Sequence, residues 1–255
     1  MMMVISPAKT LDFERKLPVK EYTQSVFRED SAMLVDELRK LSPAALSSLM
    51  NISPKLAELN YGRYSAWQAP LTPKTGRQAI YAYNGDVYEG LDAYSLDKRD
   101  INFAQKQLRI LSGLHGLLRP LDLIRPYRLD MGTALANYRG KDLYAFWGNK
   151  LAQQFKEQMQ ESGSKLLVNL ASHEYFKAIE SGMKGIRIIT PVFKDMHHGE
   201  FVIKSLYAKK ARGWMSRFMI RHRITKPQHI KAFSEGGYLF SSSLSDGDNW
   251  VFTRG

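Results

Sequence analysis

Two short aliphatic runs, Lys165-Leu-Leu-Val-Asn-Leu170 and Gly185-Ile-Arg-Ile-Ile-Thr190, set the first limit on what this chain can become. Each is a near-continuous apolar stretch of strand length, the pattern of a buried strand, and the piece between them, Glu174 to Ser181, reads as a short helix. A third strand candidate, Met2-Met3-Val4-Ile5, is ended by Ser6-Pro7. Strands and helices alternate irregularly along the rest. The expected fold is therefore mixed α/β (α+β) with a central mixed sheet, not a regular parallel barrel. A length of 255 residues is at the upper end of what one hydrophobic core serves. No repeat or linker divides the sequence, so residues 1–255 are expected to form one domain.

Proline pairs mark expected helix starts. Ser42-Pro43, Ser53-Pro54 and Thr72-Pro73 each offer a hydroxyl at N-cap and a proline at N1, where its missing N–H costs nothing. Behind Ser53-Pro54, Leu56, Leu59 and Tyr64 have helical spacing, as do Leu34, Leu38 and Leu41 between Ser31 and Leu41. A further helix is expected over Ile101 to Leu111. Tyr81 to Leu91 carries Asn84-Gly85 as a turn signal between β-prone aromatics. Glu200 to Tyr207 alternates like a strand, and from Lys209 the period becomes helical.

The absence of cysteine excludes a disulfide framework, a thiolate metal site and a cysteine nucleophile together, and fits a reducing compartment. The opening MMMVI is too short for a signal segment, and no stretch approaches the roughly 20 apolar residues of a spanning helix. The reading is cytoplasmic, with no membrane partner. The six histidines show no metal-ligand spacing, and neither a GxGxxG fingerprint nor a P-loop occurs. No metal and no cofactor are indicated.

Charge is concentrated. Between Phe201 and Ser234 stand nine Lys or Arg and no Asp or Glu, which is most of the net +12 of the whole chain. Such a segment repels itself unless an anion approaches, so a nucleic acid is the expected partner, with an acidic protein or a phosphorylated small ligand as alternatives. Within YAKKARGWMSRF (Tyr207 to Phe218) and just beyond it, Lys210, Arg217 and Arg221 fall within about 60° of one another on a helix. They form a stripe, while Trp214, Met215 and Phe218 point elsewhere, into the core. Lys209, Lys210, Arg212, Arg217 and Arg221 are the candidate phosphate contacts here.

A second set lies in LSGLHGLLRPLDLIRPYRLDMG, Leu111 to Gly132. Gly113 and Gly116 would permit a tight turn with exposed amides, and Arg119, Arg125 and Arg128 follow at spacings suited to phosphate. The other reading is a structural turn whose arginines pair with Asp122 and Asp130. LSGLHG resembles the hairpin of helix-hairpin-helix DNA-binding modules, although its glycines stand three positions apart instead of two residues with one between.

NLASHEYF, Asn169 to Phe176, places polar residues just after a buried strand, where α/β folds hold ligands. With Lys9 after the first strand and Asp86 beside a turn, the set Lys9, Asp86, Asn169 and Glu174 could serve an enzyme acting on a nucleotide or base. Helix capping and strand bridging by the same residues is the plainer alternative, and a binding protein is favoured over an enzyme.

Five stretches in order, SPAKT (Ser6 to Thr10), NGDVYEGL (Asn84 to Leu91), LSGLHGLLRPLDLIRPYRLDMG, NLASHEYF and YAKKARGWMSRF, resemble the YaaA family of bacterial peroxide-stress proteins. The resemblance runs from residue 1 to about Phe240. It implies a cytoplasmic protein that protects against hydrogen peroxide and helps keep unincorporated iron low. It also implies an α/β fold with a positively charged cleft, a helix-hairpin-helix-like element and binding to duplex or branched DNA.

Overall fold

Met2–Ile5 is the centre of the molecule in the computed structural model, which describes residues 1–255. These four side chains are wholly apolar and wholly buried, so the strand needs a covered neighbour on each side and each face.

The first third contains β1 (Met2–Ile5), β2 (Thr10–Leu11), α1 (Arg28–Arg39), α2 (Pro43–Met50), α3 (Pro54–Ser65), β3 (Arg77–Gln78) and α4 (Ala79–Ala82). Next come β4 (Tyr83–Asn84), α5 (Asp86–Leu91), α6 (Lys98–Gln107), β5 (Leu108–Ser112), β6 (Gly116–Leu118), β7 (Leu123–Ile124), α7 (Leu143–Trp147) and α8 (Lys150–Glu161). The last part holds β8 (Leu166–Leu170), α9 (His173–Glu180), β9 (Arg187–His197), β10 (Glu200–Val202), α10 (Ser205–Arg221), β11 (Leu239–Asp246) and β12 (Asn249–Arg254).

The central sheet runs β11-β12-β9-β8-β1-β5-β6, with β10 paired to β9. Strand β1 is parallel to β5 on one side and to β8 on the other, and β8 is parallel to β9. Strands β6, β10 and β11 are antiparallel additions, so the sheet is mixed, as the irregular alternation predicts. One continuous cluster of 66 buried residues fills both faces, from Met2 to Phe252.

Local chemistry explains most boundaries. Ser42 Oγ accepts from Ala45 N at 3.2 Å and Ser53 Oγ from Leu56 N at 3.3 Å, each ahead of a proline at N1. Thr72-Pro73 starts no helix. There Thr75 N returns to Thr72 O and the hydroxyl of Thr75 accepts from Thr72 N, closing a turn. The helix expected behind Ser53-Pro54 is α3; its buried face is Ala57, Asn60 and Tyr64, whereas Leu56 and Leu59 are exposed.

Two other expectations change. Asn84-Gly85 joins a two-residue strand to helix α5 instead of closing a hairpin. The helix expected over Ile101–Leu111 stops at Gln107, and Leu108 begins β5, because that stretch is needed beside β1. An apolar run flanked by a helix carries no local signal for this switch.

Candidate functional site

The recess that collects the most chemistry opens where β1 and β8 end side by side. From β1 the chain passes to β5 on one side, while β8 lies on the other, so their carboxyl ends mark a topological switch point. Connections leave such a point in opposite directions and a crevice remains between them. Here it measures about 470 Å³ and is lined by Ser6 to Thr10, Asn84 to Val87, Asp130, Leu170, Ser172, Glu174, Tyr175, Lys209 and Arg212.

Its two loops are tied together. Ser172 N donates to Ser6 Oγ at 2.9 Å, the Ser6 hydroxyl reaches Ser172 Oγ at 3.3 Å, and Tyr88 OH donates to Ser6 O at 3.1 Å. SPAKT is thereby fixed against the start of α9. Burial pushes the Tyr88 phenol well above its ordinary value, so it stays a donor. The Tyr175 phenol is also raised, first by burial and then by the Asp130 carboxylate, toward which it points at 3.5 Å.

Charge in the recess is of both signs. Asp130 accepts from Arg128 at 2.9 Å and has Lys9 Nζ at 3.8 Å. Glu174 Oε1 accepts from Gly132 N at 2.9 Å, which leaves Oε2 free. The side chains of Asp86, Lys209 and Arg212 line the recess without a hydrogen bond or ion pair to any other protein group. Burial pushes the Arg212 guanidinium below its ordinary value, and no carboxylate opposes that shift.

The expected enzyme set is therefore three-quarters assembled. Lys9, Asp86 and Glu174 converge in the recess. Asn169 does not: its Oδ1 accepts from Ala171 N at 3.0 Å and the residue is buried in β8, a strand-end bridge. Asp130, Ser6 and Ser172 add further polar groups to the lining. Of these, Asp130 was legible only as an arginine partner.

The expected phosphate-binding set divides. LSGLHG is a β-hairpin joining antiparallel β5 and β6, not a pair of helices, which corrects the helix-hairpin-helix expectation. Gly113 and Gly116 are buried, so their amides face no solvent. Gly113 is needed because a Cβ would strike Leu129 O, and Gly116 because its φ is +68° and Trp147 lies 2.9 Å from where a Cβ would be. Arg119 pairs with Asp122 at 3.0 Å, Arg128 with Asp130, and Arg125 donates to Ala66 O at 2.7 Å. The structural-turn reading of these arginines is the one observed.

On α10 the stripe is also partly used. Lys210 lies 3.8 Å from Glu89 and over the Trp214 ring, and Arg217 donates to Asp92 O at 2.9 Å with the Asp92 carboxylate at 3.5 Å. Arg223 pairs with Asp100 at 3.0 Å, and Lys231 sits over Phe240 and Trp250. The acid-free block thus takes part of its counter-charge from α5 and α6, more than 100 residues earlier. Arg221 is exposed at the end of the helix. Met215 is buried, and Trp214 and Phe218 pack against the core. Lys209 and Arg212 face the recess instead.

Comparison with known proteins places the whole chain. The family described as peroxide stress protein YaaA matches residues 1–244. The chain belongs to that family. A UPF0246 protein of Hahella chejuensis is 50% identical over 254 residues, covering 100% of this chain and 99% of its own length. One from Teredinibacter turnerae is 51% identical with the same coverage, and one from Burkholderia orbicola is 49% identical over 256 residues, covering 100% of this chain and 98% of its own. Membership in the YaaA family ties the protein to peroxide stress. No helix is long and apolar enough to cross a membrane.

Proposed function

We propose that this protein serves the peroxide-stress response by holding DNA through its backbone phosphates and so limiting iron-dependent oxidative damage to it. The anchoring point in this reading is the recess rim formed by Lys9, Lys209 and Arg212. The observation that carries it is Arg212. A partly desolvated guanidinium with no internal partner is costly to the fold, and a phosphate oxygen pair is the ligand its planar fork matches. Lys209 stands three residues away on the same helix face, and Lys9 is largely exposed beside it in the lining.

The test is the affinity for duplex and branched DNA over a salt series. Three phosphates neutralised at the rim give a slope of log K against log salt of about −3, and Arg212→Ala reduces it by about one. A flat salt dependence, or no binding at low salt, overturns the reading.

A second reading has one observation in its favour. Lys9, Asp86 and Glu174 converge, and the Asp86 side chain has no partner in the protein, the placement a general base of an enzyme acting on a nucleotide or base requires. Mass spectrometry of nucleotides and DNA after incubation decides it. A product that disappears with Asp86→Asn supports turnover, and unchanged substrates remove it.

A further inference from the structure

The LSGLHG hairpin carries one polar side chain that the turn itself does not use. His115 lies between β5 and β6 with 2% of its surface exposed, its ring facing Trp67 at 5.5 Å and set edge-on to Tyr127 at 5.1 Å. Ser31 Oγ stands 3.4 Å from Nδ1, and the Ser31 hydroxyl donates to Phe27 O at 2.9 Å. With its proton engaged there, Ser31 can only accept from the ring. Nδ1 therefore carries the imidazole proton, and Nε2 is a bare acceptor in a ring that burial keeps neutral.

Nε2 has no partner in the protein, and neither has the indole Nε1–H of Trp67, a residue 7% exposed. Buried polar atoms of this kind are few in a folded protein, and each has given up its hydration without return. These two line one small cavity, together with Ser25, Arg28 and Ser31 from the approach to α1 and its first turns. Its volume is about 20 Å³, against the roughly 10–15 Å³ that one water requires. None of its lining residues belongs to the recess.

The two atoms make opposite demands. A cation would suit Nε2 but face the indole proton, and no Asp, Glu or second His lines the cavity to hold one. An anion would accept from the indole but face the Nε2 lone pair. A hydroxyl answers both, its oxygen accepting from Trp67 while its proton goes to His115. Ser25 offers a third contact, since its hydroxyl accepts from Phe27 N at 3.1 Å and donates to no protein group. Two to four such partners are what a buried water has.

We propose that this cavity is a binding site for one small hydroxylic molecule, water or hydrogen peroxide, that accepts from Trp67 Nε1 and donates to His115 Nε2. Hydrogen peroxide presents the same O–H and is larger by one oxygen atom, so it requires one wall to move. Arg28 is that wall: its side chain is exposed, makes no hydrogen bond or ion pair with the protein, and can donate to the second oxygen. The site stands apart from the DNA reading and does not depend on it.

A crystal structure of the protein is expected to show one electron-density peak within about 3.2 Å of both Trp67 Nε1 and His115 Nε2. His115→Leu and Trp67→Phe each remove one partner and are expected to lose the peak. Its absence from the parent overturns the proposal whether or not the variants fold, and so does a peak that persists in both variants. A second arm separates the two ligands. The chain has four tryptophans, and Trp67→Phe identifies the Trp67 indole N–H among their nuclear magnetic resonance signals. Hydrogen peroxide titrated into the full chain is expected to move that signal saturably. The signal of Trp147, whose Nε1 donates to Gly113 O at 3.0 Å, is expected to stay in place. A Trp67 signal that does not move removes hydrogen peroxide from the assignment and makes water the ligand.

Discussion

Gly213 on α10 lies directly against Gly90 on α5: a Cβ on Gly213 would fall 2.9 Å from the Gly90 Cα and strike Val87 O. The reverse holds as well, since a Cβ on Gly90 would meet the backbone of Lys210 and Trp214. Two glycines let the helix axes approach until backbone touches backbone. That contact brings Lys209 and Arg212 to the recess that Asp86 lines from α5.

Gly213→Ala therefore has no side-chain route to relief, and overpacking of this kind costs about 3 kcal/mol. Gly62 in α3 has nothing within 4 Å of its added Cβ, so Gly62→Ala is expected to gain about 0.5–1 kcal/mol through helix propensity. Reversible denaturant unfolding of the two variants measures both signs. A Gly213→Ala protein as stable as the parent would disprove the contact.

Arg212 presents the opposite trade. It is half-buried and its side chain has no partner in the protein, so Arg212→Met, which keeps the stem and removes the charge, should leave stability unchanged or raise it by up to about 1 kcal/mol. DNA affinity at low salt should fall roughly tenfold or more, the worth of one charge-assisted contact. Unfolding curves and anisotropy titrations on the same preparation check the pair. A variant that loses stability and keeps affinity would assign Arg212 to the fold.

His115 provides a pH signature. The ring is buried against Trp67 and Tyr127, its Nε2 has no partner, and burial lowers its pKa to about 3. The native state therefore holds the ring neutral while the unfolded chain protonates it below its ordinary value of about 6.5. Between those two values the unfolded state binds the extra proton, so stability falls as pH falls, by about 2 kcal/mol from pH 7 to pH 5. His115→Gln has no such proton to lose. The expected result is a shallower fall over that interval, read from denaturant unfolding at the two pH values; identical slopes would show that His115 is not held neutral.

The sequence located what local chemistry decides. Proline pairs fixed the starts of α2 and α3, and aliphatic runs fixed β1, β8 and the start of β9; the change of period announced α10, but the strand expected to run to Tyr207 stops at Val202 and the helix already begins at Ser205. Lys9, Asp86 and Glu174 were found because each follows a strand or turn, where a sheet leaves room for a ligand. The same local rules failed where a distant partner chose the outcome. LSGLHG reads as a loop between helices until β1 claims Leu108–Ser112 as a neighbouring strand. Asn169 and Ala171 settle an amide that residue type alone would have placed in the site.

The charge of Phe201–Ser234 shows the division most clearly. Composition established that this segment cannot neutralise itself, because it contains no acid. Only the packing of α10 on α5 decided which charges are answered within the protein: Lys210 and Arg217 meet Glu89 and Asp92, while Lys209 and Arg212 turn to the recess unanswered. Helix periodicity puts Lys210 and Arg217 on one face and Arg212 on another, but it cannot say which face meets carboxylates. That depends on a contact between residues some 120 positions apart, which sequence spacing does not encode and backbone approach at Gly90 and Gly213 does.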